Sequence, residues 1–296
     1  FIILKDSFPD LKNYNLKKLG HFEKNLYFLT PRIENIDLNL CGKILYKEEN
    51  LYLIDMDENS ICLENKNFWV QKIPLDGLKP YKDFEKIEIE KNLLVEDMLQ
   101  SFDENLAISE FNALVNYAES RYSRNPGCLA SVERAYGIFQ GIGLEAELQR
   151  YSGSYAPNVI GTLRGFLEPE KVLILIAHID DMPKIHPAPG ANDNGSGASM
   201  VINLAKIFVN YRFSYTIKFL LATGEEQGLV GSSIYASKAY KEGEDIIAVL
   251  NADMIGWEGD GKPQEENLDL SFNDNSEDLA NLFMDVYNLY ENIVPP

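Results

Sequence analysis

The chain has 296 residues, 45% of them apolar, enough for a substantial core and more than one average domain. Lys and Arg number 27 against 46 Asp and Glu, and the formal net charge of −19 opposes contact with phosphate backbones or anionic lipid, so nucleic acid is not an expected partner. No apolar run reaches the roughly 18 residues that a spanning helix needs.

The chain begins at Phe1 rather than Met; a cleaved secretion signal and a shortened chain both account for this, and the first would place the protein in an extracellular or periplasmic setting. Cys41, Cys62 and Cys128 fit no metal-binding spacing. A Cys41–Cys62 bridge is compatible with the sequence, while the odd count leaves the compartment open.

Residues 1–94 read as a small β-rich unit. Asn25–Thr30, Lys43–Tyr46, Leu51–Ile54 and Phe68–Gln71 are short aromatic and β-branched segments with Asn, Asp and Gly between them. The unit holds no catalytic constellation; His21 stands alone, which suits a surface or packing role. An accessory or inhibitory domain is the expectation.

Residues 95–296 change period. Phe111, Leu114, Val115 and Ala118 recur at helical spacing, and Asp103 and Ser109 are candidate N-caps. A second helix is predicted from Cys128 to Gln140, stopped at Gly141-Ile-Gly143. Strands follow at Glu145–Tyr151, Val159–Leu163 and Val172–Ala177, then a helix over Met200–Val209. A strand at Thr216–Ala222, a helix at Leu229–Tyr240 and a strand at Ile246–Asn251 continue the alternation. Leu268–Phe272 reads as a strand and Asp278–Tyr290 as a helix. Such alternation implies an α/β fold, a mostly parallel sheet with helices on both faces.

Three of these strands end in potential metal ligands. Val172–Ala177 runs into His178 and Asp180, Ile217–Ala222 into Glu225 and Glu226, and Ile246–Leu250 into Asn251 and Asp253. If the strands are parallel, their ends share one edge with Asp193 from the following loop, the edge where α/β sheets bind ligands. Crowded carboxylates repel one another unless a cation compensates. One imidazole among several carboxylates suits Zn²⁺ better than magnesium. Each residue has an ordinary reading as well: Asp193 as a helix cap, Glu225-Glu226 as a solvated pair, His178 as a structural hydrogen bonder. Their coincidence at three strand ends favours the metal.

His178-Ile-Asp180, Gly190-Ala-Asn-Asp-Asn-Gly-Ser-Gly197, Glu225-Glu226-Gln-Gly-Leu-Val-Gly-Ser232 and Asn251-Ala-Asp-Met-Ile-Gly256 resemble the motif series of the M28 zinc aminopeptidases in order and spacing. Asn158-Val-Ile-Gly161 is similar to the strand before the family's first ligand, and the likeness covers roughly Ala107–Gly256. The resemblance implies a metallo-aminopeptidase that hydrolyses the N-terminal residue of a peptide, with two Zn²⁺ per complete site. It implies that His178 and Asp253 bind one zinc, Glu226 the second, and Asp193 bridges them. It makes Glu225 the general base and Asp180 the residue that orients the His178 ring. Two ions about 3.5–4 Å apart then activate a water and polarise the scissile carbonyl.

The chain departs from that pattern after Asp253, where the family supplies a late histidine ligand and this sequence has none. A shortened chain and a site completed by another residue, with His186 the one other nearby imidazole, both account for this. Two other functions stay open: a carboxypeptidase or amidohydrolase of the same fold, and a non-catalytic binding domain derived from it.

Overall fold

The computed structural model describes residues 25–31, 38–48, 51–63, 68–72, 89–182, 187, 189–256, 269–273 and 276–290. The histidines His21 and His186 lie outside these residues. The chain divides into two compact units, Phe1–Tyr81 and Lys82–Pro296.

In the first unit, β1 (Asn25–Pro31), β2 (Lys43–Glu48), β3 (Leu51–Met56) and β4 (Phe68–Lys72) form an antiparallel sheet in the order β2-β3-β1-β4. Strand side chains alternate between faces, so Tyr27 and Leu29 point to one side of β1 and Ile54 and Met56 to one side of β3. These four pack with Leu38 and with Cys41 and Cys62, which are joined in a disulfide. The bridge closes a loop that spans 21 positions and ties the segment before β2 to the one after β3.

The second unit begins with α1 (Leu93–Gln100), α2 (Glu104–Val115) and α3 (Pro126–Gly141). Asp103 caps α2 as its sequence position predicts, accepting the amide N–H groups of Asn105 and Leu106. Ser109 falls inside that helix and caps nothing. Then follow β5 (Glu145–Gln149), β6 (Asn158–Leu163), β7 (Glu168–His178), α4 (Gly197–Phe208), β8 (Tyr215–Ala222), α5 (Val230–Glu242), β9 (Asp245–Asn251) and α6 (Glu277–Tyr290). Asp269–Phe272, read as part of a strand, form none; Phe272 is exposed and no partner strand reaches it among the described residues.

The sheet runs β5-β6-β8-β7-β9. Its directions follow from the connections. The links on either side of β6 are too short for a crossover helix, so β6 runs against both β5 and β8. The links from β7 to β8 and from β8 to β9 carry α4 and α5, so β7, β8 and β9 are parallel. The α/β class with helices on both faces is as predicted, and the sheet is mixed, with its parallel part at β8-β7-β9.

Along β8 the side chains alternate between two cores. Ile217, Phe219 and Leu221 face α3 and α4, packing with Val132, Ala135, Phe139, Val201, Ile202 and Ala205. Leu220 faces α5, with Ile160, Val172, Ile174, Tyr235 and Ala239. Each buried Leu, Ile or Phe contributes roughly 1.5–3 kcal/mol. Gly161 lets α3 approach the sheet: a methyl there would lie 2.7 Å from the Phe139 ring. Among the described residues, no helix is long and apolar enough to cross a membrane.

Candidate metal centre

Because β7, β8 and β9 are parallel, their carboxyl ends lie on one edge, as the metal reading of the sequence requires. His178 ends β7 beside Ala222 of β8, and the amide of Ala252, just past β9, donates to the Ile176 carbonyl of β7 at 2.8 Å. This brings His178 Nε2 to 3.5 Å from an Asp253 carboxylate oxygen and 3.1 Å from one of Asp193. One donor atom from each of these three residues lies within 4.8 Å of the others, the one such set among the described residues.

Asp193 reaches the edge on a turn, Ala191–Ser196, that departs from helical geometry at Asp193 and Asn194. Its alternative reading as a helix cap does not describe the structure: Asn194 accepts the Gly197 N–H at 2.9 Å, and the side chain of Asp193 is left facing His178. Buried Asn194 also donates to the Ala252 carbonyl and accepts the Met254 N–H, which ties the Asp193 turn to the Asp253 turn. Gly197 is required for that approach, since a methyl there would stand 2.2 Å from the Ala252 oxygen.

Behind the histidine, Nδ1 lies 3.2 Å from the backbone oxygen of Asp180 and 3.6 Å from its carboxylate. That carboxylate accepts the Ser123 hydroxyl at 2.6 Å and the Glu225 N–H at 3.3 Å. Ser123 in turn accepts the Gly224 N–H at 2.7 Å. Asp180 and Ser123 therefore link the His178 end of β7 to the turn that carries Glu225 and Glu226. Thr223 is held from the other side, its amide donating to Asn158 at 3.0 Å and its hydroxyl to the Ala156 carbonyl at 2.6 Å. Glu226 lies outside the three-residue set.

The electrostatics are those of a place short of positive charge. Burial raises the pKa of Glu226, and repulsion from Asp193 and Glu225 adds to it, taking it to about 7. Burial likewise raises Glu225. Burial disfavours charge on His178, yet the carboxylates of Asp180 and Asp253 outweigh it and lift its pKa to about 10. A divalent cation would relieve this crowding, and one imidazole nitrogen with two carboxylates is a donor set that zinc accepts. The residues fit that metal.

Ser123 and Asn194 were not singled out by sequence reasoning. Both are small polar residues outside regular strands, and a residue of that kind looks the same in sequence whether it is solvated or buried at a site. The edge geometry alone reveals them.

Residues 158–294 match the sequence model of peptidase family M28. A probable zinc metalloprotease of Pyricularia oryzae is 39% identical over 104 residues, 33% of this chain and 21% of that protein. Leucine aminopeptidase 1 of Colletotrichum graminicola is 30% identical over 220 residues, 69% of this chain and 50% of that protein. A probable leucine aminopeptidase of Trichophyton verrucosum is 28% identical over 193 residues, 59% of this chain and 52% of that protein. The chain thus spans about half or less of the length of these curated relatives. The crystal structure of Legionella pneumophila LapA aminopeptidase superposes with a TM-score of 0.66, at 17% identity, over 90% of this chain and 79% of that one, a likeness of fold. The segment from β6 to α6, which carries every residue of the candidate centre from His178 to Asp253, belongs to peptidase family M28.

Proposed function

We propose that the chain is a zinc-dependent aminopeptidase, with His178, Asp193 and Asp253 holding zinc and Glu225 as general base. The observation that carries this is the convergence of His178 Nε2 with Asp193 and Asp253 at 3.1 and 3.5 Å, on the edge to which Glu225 is also tied. Bound there, zinc supplies Lewis-acid polarisation of the scissile carbonyl and a more acidic water. Glu225 takes the proton of that water and returns it to the departing amine, a transfer suited to a carboxylate whose pKa is raised by burial. Hydrolysis releases the first amino acid and a shortened peptide.

The ends of the peptide are distinguished by charge. The chain's formal net charge of −19 favours approach of an ammonium end over a carboxylate end. Glu226, standing apart from the three-residue set, is the ligand left for a second zinc, which is held more weakly. The Cys41–Cys62 disulfide suits an oxidising compartment outside the cytosol.

The experiment is turnover of L-leucine 4-nitroanilide by the zinc-loaded protein and by Glu225→Gln. The variant is expected to keep its zinc and lose roughly 100- to 10,000-fold in kcat. Full activity in Glu225→Gln would remove that residue from the chemistry.

A further inference from the structure

We propose that Arg121 is a positioning residue for the metal centre: its guanidinium clamps the two ends of the loop between His178 and Asp193 and sets where those two ligands stand. The inference rests on the zinc reading above. Arg121 is fully buried, lies between α2 and α3 in sequence, and directs its side-chain donors to backbone carbonyls beside the ligands. Its Nε donates at 2.8 Å to the carbonyl of Ile179, the residue after His178. Its two terminal nitrogens donate to the carbonyls of Pro189 and Gly190, the latter at 3.0 Å. Gly190 is three residues before Asp193, and its carbonyl also accepts the Gly195 N–H from beyond Asp193 at 2.8 Å. One planar cation thus grips both feet of the loop.

The grip is itself supported. The backbone N–H of Arg121 donates to the buried Asp181 carboxylate at 2.6 Å, and the Ser120 hydroxyl donates to the same group at 3.0 Å. The Asp181 carboxylate lies 4.0 Å from the guanidinium, near enough to balance its charge. A buried charge is costly to desolvate, and here the Asp181 countercharge and three carbonyl acceptors offset that cost and fix the guanidinium in place. Only a guanidinium offers several donors in one rigid fork; a lysine ammonium would have to choose between the two feet. Gly190 completes the fit, with φ of +51° and no room for a side chain: a methyl there would lie 2.5 Å from the Asp193 backbone oxygen and 3.0 Å from Arg121 Nη2.

The test uses the full chain, with Arg121→Lys, Arg121→Met and Ser120→Ala. Zinc dissociation constants are measured by chelator competition, with circular dichroism to confirm folding and kcat and KM on L-leucine 4-nitroanilide. Folded variants are expected to bind zinc about 10- to 100-fold more weakly. At saturating zinc, kcat should fall more than KM rises, and Arg121→Lys should recover the parent values only in part. A role in folding alone predicts parent zinc affinity in every folded variant, and that result overturns the proposal. If both Arg121 variants fail to fold, Ser120→Ala decides in the same way, because it loosens the Asp181 support of the clamp and leaves the cation and both ligand turns in place. A parent protein that binds no zinc would overturn the metal centre itself, and the inference with it; zinc-binding parent and unchanged variants would overturn the inference alone.

Discussion

The two units of the chain are stabilised in different ways. Among the described residues of Phe1–Tyr81, the interior is apolar with one buried acid, Asp55, and a disulfide crosses it. Lys82–Pro296 has a larger apolar core on both faces of its sheet, but it also buries Arg121, Ser123, Asn158, His178, Asp180, Asp181, Asn194 and Thr223. Every one of these eight is joined to the carboxyl edge of β7, β8 and β9 by the hydrogen bonds described above. A small unit with few buried side chains gains from a covalent tie, whereas a large core has stability to spare for a polar site.

Substitutions in each unit sharpen this contrast. The largest loss of stability is expected for Phe219→Ala, at the centre of the sheet, where the ring meets those of Phe139 and Phe208 at 6.3 and 6.1 Å between centroids. Thermal or urea denaturation should show a loss of roughly 3–5 kcal/mol. Cys41→Ser opens the disulfide of the first unit and should cost about 3 kcal/mol in the melting of that unit, with zinc content unchanged. Loss of zinc in Cys41→Ser would break the separation between covalent tie and polar site.

The smallest effect is expected at Glu110 of α2, which accepts hydrogen bonds at 2.6 Å from both Arg134 of α3 and Lys206 of α4. Burial raises its pKa, but these two cations prevail and hold it below the usual value of 4.5. A depressed folded-state pKa means stability that is complete above about pH 4.5 and lost as pH falls through the lower value. Glu110→Gln should therefore cost about 1–2 kcal/mol near neutrality. Below pH 4.5 the melting temperatures of parent and variant should converge; a gap that persists in acid would contradict the assignment.

The apolar framework of the second unit was legible because it is written in contiguous runs. Val172–Ala177, Ile217–Ala222 and Ile246–Leu250 can hardly be solvated, and each strand lies where its run predicts. The mixed direction of the sheet was less so, since β6 reads like its neighbours and its antiparallel course comes from the short links beside it. Asp269–Phe272 carry apolar alternation without a partner strand among the described residues, which period alone does not report. Of the centre, His178 and Asp253 were legible at strand ends and Asp193 in the loop after the first of them, and the structure brings these three together. Glu226 was grouped with them and stands apart from that set. The Ser120–Ser123 stretch was not legible: Ser, Arg, Tyr and Ser between two helices look like a solvated link, and only the fold turns Arg121 inward onto carbonyl groups.

His178 and its two carboxylate neighbours, Asp193 and Asp253, are the proposed zinc site. Elemental analysis of the purified chain beside His178→Ala, after mild dialysis against metal-free buffer, tests it most directly. The account predicts about one tightly held zinc per parent chain and essentially none in the variant, with both folded by circular dichroism. No zinc in the parent, or equal zinc in parent and His178→Ala, would contradict it.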